Sequence, residues 1–173
     1  MSKSKTYELI LMGMLTGILF MGQVFLAFLP NVEIVSLLIL LYTLTFGRKV
    51  FIMIYTFVLL EGIFYGFGLW WINYLYIWSI LAVVVLLFKK QRSPLFWSIV
   101  NGFFGLCFGA LCALPYFFIG GPAAAFSYWI TGIPYDIPHC IGNAVLCLLL
   151  FKPGYYILNW LYLHAHTAPM NGQ

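Results

Sequence analysis

The sequence predicts an all-α membrane protein: six transmembrane helices in one bundle, both termini in the cytoplasm, and a pocket open to the outside. Three observations predict it. Of 173 residues, 64% are hydrophobic and only 7% are charged, where a soluble domain has roughly 25% charged residues. The apolar stretches are continuous rather than alternating, so the backbone groups are satisfied inside helices rather than in strands. All eight Lys and Arg residues fall at four positions that six spans bring to one side. A soluble globular domain, a disordered chain and a nucleic-acid binder are excluded at this step. So few charges cannot cover a water-facing surface, and they form no basic face.

A span needs about 20 apolar residues, fewer where the bilayer thins. The first span runs from about Tyr7 to Leu29 and stops at Pro30-Asn31. It is too long for a signal-peptide core and lacks a small-residue cleavage site, so it is expected to stay as a span. A short second span, 34–46, ends at Gly47-Arg48-Lys49, and the third covers 50–67. The fourth, 72–88, ends at Lys89-Lys90-Gln91-Arg92. The fifth, 95–119, ends at Gly120-Gly121-Pro122, and the sixth, 137–151, ends at Lys152-Pro153. The transmembrane domain is therefore 1–153, with 154–173 as a tail. Lys3 and Lys5, Arg48 and Lys49, Lys89, Lys90 and Arg92, and Lys152 then share one side. The positive-inside rule makes that side cytoplasmic, and the protein multi-pass in the cell membrane. Between spans five and six, Ala123–Thr131 is expected as part of an external loop or a half-helix dipping into the membrane. In the tail, Tyr155, Tyr156, Trp160 and Tyr162 suit the headgroup layer to about His164, and Thr167–Gln173 reads as disordered.

Several polar residues need a reason inside such a bundle. Glu61 lies about 16 Å from the cytoplasmic end of span three by helix rise, near the bilayer centre. A charge there costs about 2.5–3.5 kcal/mol on insertion scales. It is either a neutral acid bonded to a neighbouring helix or a ligand or proton-relay group. Asp136, His139 and Asn143 stand at i, i+3 and i+7 and share one helical stripe descending from the external mouth. Asp136 also has the position of an N-cap, with Pro138 in the first turn. His139 and Asn143 also suit interhelical hydrogen bonds. His139 matches Glu61 in depth, so the two are expected to approach across a cavity, directly or through a ligand. Aromatic residues crowd the side without Lys or Arg: Tyr65, Trp70, Trp71, Tyr74, Tyr128, Trp129 and Tyr135 among them. They form a headgroup belt, or walls that sandwich a flat ligand. Trp70-Trp71 and Tyr128-Trp129 are expected in external loops beside the polar stripe.

Gly13 and Gly17 in span one, and Gly105, Gly109 and Ala113 in span five, have the four-residue spacing that lets helix backbones approach closely. Cys107, Cys112, Cys140 and Cys147 lie in apolar stretches without a C-x-x-C pair and read as packing thiols; no metal site, cofactor or catalytic residue is assigned. There is no nucleotide-binding G-x-x-x-x-G-K-[ST] loop, so ATP-driven work needs a partner. Three function classes remain: a ligand-capture protein, a structural or scaffolding membrane protein, and a membrane enzyme using His139 and Asp136.

With this layout, the chain resembles the substrate-binding S components of energy-coupling factor (ECF) vitamin transporters. The resemblance covers nearly the whole length and is most specific over Gly132-Ile-Pro-Tyr-Asp136-Ile-Pro-His139-Cys-Ile-Gly-Asn143-Ala-Val-Leu. It implies that Asn143 lines a vitamin pocket. It also implies that span one docks on a transmembrane coupling subunit, with Gly13 and Gly17 at the spacing of the family's alanines. Two cytoplasmic ATPases would drive release after the S component topples in the lipid bilayer, and the chain would not itself be an enzyme. With Glu33, Glu61 and Asp136 but no Lys or Arg on the external half, the expected ligand is a neutral or cationic, ring-containing vitamin or precursor rather than an anion. The expected ligand site is Glu61, Trp70, Trp71, Tyr128, Trp129, Asp136, His139 and Asn143.

Overall fold

A computed structural model describes residues 3–28 and 33–167 of the chain. Every regular element among them is helical: α1 (Lys3–Leu26), α2 (Val35–Phe46), α3 (Val50–Tyr65), α4 (Leu69–Leu87), α5 (Pro94–Cys112) and α6 (Leu114–Thr167). Five helical stretches are long and apolar enough to cross a membrane, α2 and α3 counting as one continuous stretch. The outward faces are apolar too, as at Met14, Ile52, Phe103 and Leu149.

Local chemistry sets the breaks. Gly47, at φ 58°, ends α2, and a single tight turn, Gly47–Lys49, leads into α3. Both the entry to α2 (Glu33) and the end of α3 (Tyr65) line one cavity. Laid end to end, the two helices would span about 45 Å, so they must form a hairpin. Gly66, at φ 87°, ends α3 in a conformation that favours glycine. Ser93 caps α5 by accepting from the Phe96 amide at 3.3 Å, and Pro94 opens its first turn.

The chain reverses again at Gly121, where φ 77° and ψ −175° interrupt α6. On either side, Tyr116 stacks on Tyr128 with ring centroids 4.2 Å apart. Further down, Ser98 Oγ donates to the Ala144 carbonyl at 2.6 Å. The α5–α6 seam is lined by glycine. A Cβ on Gly102 would lie 3.0 Å from Ala144 Cβ, and one on Gly105 would lie 2.9 Å from the His139 carbonyl oxygen.

After Gly121 the helix continues through Pro122, Pro134, Pro138 and Pro153 to Thr167. This corrects three expectations. Of the two readings of 123–131, loop or half-helix, the segment is helical; the fifth helix stops at Cys112 rather than 119, and the last does not begin at 137. Tyr128 and Trp129 therefore sit on α6, and Trp70 and Trp71 in the first turn of α4, none of them in a loop. The helix expected in the tail is a direct extension of α6. Pro30-Asn31, the expected end of the first span, and residues 168–173 lie outside the described residues.

The core is built around α2, which packs on α4 and α6 while α1 packs on α3 and α6. Ile39, Leu40, Phe57, Trp78, Trp97 and Phe151 are fully buried there. The Tyr42 hydroxyl donates to the Leu15 carbonyl at 3.0 Å, joining α2 to α1. At the end carrying the basic turns, Lys49 pairs with Glu8 at 2.6 Å, and Arg92 lies 5.1 Å from the centre of the Tyr155 ring.

Candidate functional site

A cavity of about 790 Å³ opens at the end of the bundle away from the basic turns. Helix periodicity explains its lining. Glu61 and Tyr65 face it from α3 at i, i+4, and Trp70, Tyr74 and Trp78 from α4 at i, i+4, i+8. From α6 come Tyr128, Thr131, Gly132, Tyr135, Asp136 and His139, one unbroken stripe. Phe108, Gly109 and Cys112 of α5 fill the space between, and Gln23 of α1 and Glu33 close the remaining side.

The aromatic wall is pre-packed. The Tyr74 ring stands edge-on to both Trp70 and Trp78, with centroids 5.3 Å apart in each case. Phe108 meets the His139 ring at 5.0 Å. Rings that brace one another lose little freedom when a flat ligand stacks on them.

The polar groups fall into two sets. The first is bonded together, with only Asn143 Oδ1 left without a partner among the described residues. Glu33 Oε1 lies 3.0 Å from His139 Nε2 and accepts from Ser36 Oγ. Asn143 Nδ2 reaches Ser36 Oγ at 3.2 Å and Glu33 Oε1 at 3.4 Å. This cluster ties the entry of α2 to α6 and forms the cavity floor. The second set is unsatisfied. Glu61 is 1% exposed and Asp136 5% exposed. Glu61 Oε1 and Asp136 Oδ2 have no hydrogen-bond partner among the described residues. Asp136 Oδ1 accepts from the Gly109 amide at 3.0 Å, and a Cβ on Gly109 would collide with Oδ2, so the carboxylate is held against Gly109 at the α5–α6 seam, where both residues line the cavity. A buried acceptor left unpaired costs about 1–3 kcal/mol.

Of the residues singled out in the sequence, Glu61, Trp70, Tyr128, Asp136 and His139 line the cavity. Trp71 does not: its indole donates to the Val58 carbonyl at 2.8 Å and packs against Phe67, pinning α4 to α3. Trp129 lies on the outer side of α6, 40% exposed and packed edge-on to Phe126. Asn143 sits beneath the lining, within the floor cluster. His139 engages Glu33 rather than Glu61. Gln23, Trp78, Phe108 and the anchoring role of Glu33 were not read from the sequence. For Glu33 a signal existed: a 12-residue α2 spans only about 18 Å, so an end anchored at Arg48-Lys49 leaves the other inside the bundle. Among the described residues, no three His, Cys, Asp or Glu side chains converge as a metal site.

Gly13 and Gly17 lie on α1 with no atom of the described residues within 4 Å of where a Cβ would project, so this side of the helix is open among them. Comparison with known proteins finds no matching family model, no matching curated protein and no matching solved structure.

Proposed function

We propose that this protein is the substrate-capture subunit of an ATP-driven micronutrient importer of the energy-coupling factor type. It spans the cell membrane six times, with both ends inside. It binds a small neutral or cationic ring compound from outside and delivers it with a separate coupling subunit and two cytoplasmic ATPases. The observation that carries this reading is the cavity: roomy, ringed by aromatic side chains, and located at the end opposite Arg48, Lys49, Lys89, Lys90 and Arg92. Pockets of roughly 300–1,000 Å³ with apolar walls and a few placed polar groups are the usual form of a small-molecule site. The α2–α3 hairpin supports six passes, because two antiparallel helices cross where a single long one would cross once. The open Gly13–Gly17 face offers the close approach that a docking helix needs.

A scaffold has no use for such a hollow. An enzyme built on His139 and Asp136 would need them joined, yet His139 turns to Glu33 and Asp136 to the Gly109 amide. The test is mass spectrometry of small molecules released by denaturing the purified protein. A stoichiometric ring compound absent from a Trp70→Ala, Tyr74→Ala preparation is the expected result. Purification without any bound compound, together with no uptake phenotype on deletion, refutes the reading.

A further inference from the structure

The two unsatisfied carboxylates narrow the ligand beyond its size and flatness, an inference that rests on the capture-pocket reading above. Three acids, Glu33, Glu61 and Asp136, line one cavity. The lining holds no Lys or Arg, and its one histidine, His139, is bonded to Glu33. Glu61 Oε1 and Asp136 Oδ2 are left as buried acceptors without donors, on opposite walls, α3 and α6. An anion entering this space meets uncompensated like charge at low dielectric. A neutral ligand rich in carbonyls supplies no donor to either of these two oxygens. A ligand that donates at both ends and carries delocalised positive charge satisfies both oxygens. It also stacks favourably on the negative faces of Trp70, Tyr74 and Tyr128.

We infer that the ligand is a planar organic cation bearing at least two N–H donors, of the amidinium or amino-substituted pyridinium or pyrimidinium kind, held between Glu61 and Asp136 and sandwiched by the aromatic wall. The cation offsets the cost of burying two carboxylates in one apolar space. In the floor, Glu33 is engaged by His139, Ser36 and Asn143 Nδ2, so its carboxylate takes no direct part in charge recognition.

Three probes sharing one ring isolate the charge: benzamidinium, benzamide and benzoate, titrated against the full-length protein in lipid nanodiscs, with empty nanodiscs as reference. Benzamidinium is expected to bind at least about tenfold tighter than benzamide, the scale of one charge-assisted hydrogen bond, with benzoate weakest. In Glu61→Gln, Asp136→Asn protein the ratio of benzamidinium to benzamide affinity is expected to fall to about threefold or less. The comparison within the unaltered protein stands whether or not the variant folds. Benzamide or benzoate binding as tightly as the cation overturns the inference and leaves a capture pocket standing. Absence of saturable binding by all three, up to about 10 mM, overturns the inference and counts against the pocket as well.

Discussion

Substituting Gly105 tests the seam on which the site is built. A Cβ at this position meets the His139 carbonyl oxygen at 2.9 Å, its carbon at 3.0 Å and Asn143 Nδ2 at 3.1 Å. Two of these atoms are backbone and cannot rotate away. Optimal carbon contacts lie at about 3.5–4.0 Å, and a radial gap of about 0.5–1 Å forfeits a quarter to a half of the dispersion well. To admit the methyl, α5 and α6 must part by roughly half an ångström. The neighbouring contacts of Gly102 with Ala144 and of Gly109 with Asp136 then loosen together. Overpacking of this kind costs about 1–3 kcal/mol, against a gain of about 0.5–1 kcal/mol from replacing glycine by alanine in a helix. The net expectation is a loss of about 1–2 kcal/mol, or roughly 2–8 °C in melting temperature for a chain of this size. Gly13→Ala is the control: nothing lies within 4 Å, so it is expected to be neutral or slightly stabilising. Thermal unfolding in detergent, followed by tryptophan fluorescence, reads both variants. Equal melting temperatures for Gly105→Ala and the parent would refute the close approach of α5 and α6.

Trp71→Phe removes the indole donor to the Val58 carbonyl and is expected to lower stability by about 0.5–1.5 kcal/mol without changing ligand affinity; a selective loss of binding would make Trp71 a pocket residue after all. Asn143→Ala removes donors to Ser36 and Glu33, and ligand affinity is expected to fall several-fold through a loosened floor. Ligand-bound NMR shifts in the parent should then show no direct contact to the Asn143 side-chain amide. Arg92→Cys in a background lacking the four native cysteines is expected to resist impermeant thiol reagents in intact cells and to react in inverted vesicles. Reaction from outside would overturn the six-pass topology. Bulky substitution of the open face, Gly13→Trp with Gly17→Trp, is expected to abolish uptake while leaving binding of the small molecule intact; unchanged transport would move the docking surface elsewhere.

The helices were legible in the sequence because hydropathy alone decides them in lipid, where a backbone must bond to itself. Their ends were legible where glycine or a basic turn marks them, as at Gly47-Arg48-Lys49, and Gly121 marks the kink within α6, while the end of α5 at Cys112 carries no such mark. What could not be read was the continuity of α6. Pro134, Pro138 and Pro153 each remove an amide donor and ordinarily argue for a break, yet the packing of α6 on its neighbours carries the helix through. In the candidate site, the stripe of Asp136 and His139 followed from spacing, and its extension up to Tyr128 did not, because that short stretch reads equally as loop or half-helix. Adjacent tryptophans were the hardest case. Trp70 and Trp71 are identical in chemistry and one position apart, but about 100° of helix rotation turns one into the cavity and the other into the α3–α4 contact.

The glycine seam also has a mechanical consequence. Helices in backbone contact along their length move as one plank, so α5 and α6 offer no gate. The flank formed by α1 and the entry of α2 is held differently, by discrete latches such as Glu33 on His139 and Tyr42 on Leu15. Latches of that kind can release one at a time, and the aromatic wall stays standing while they do.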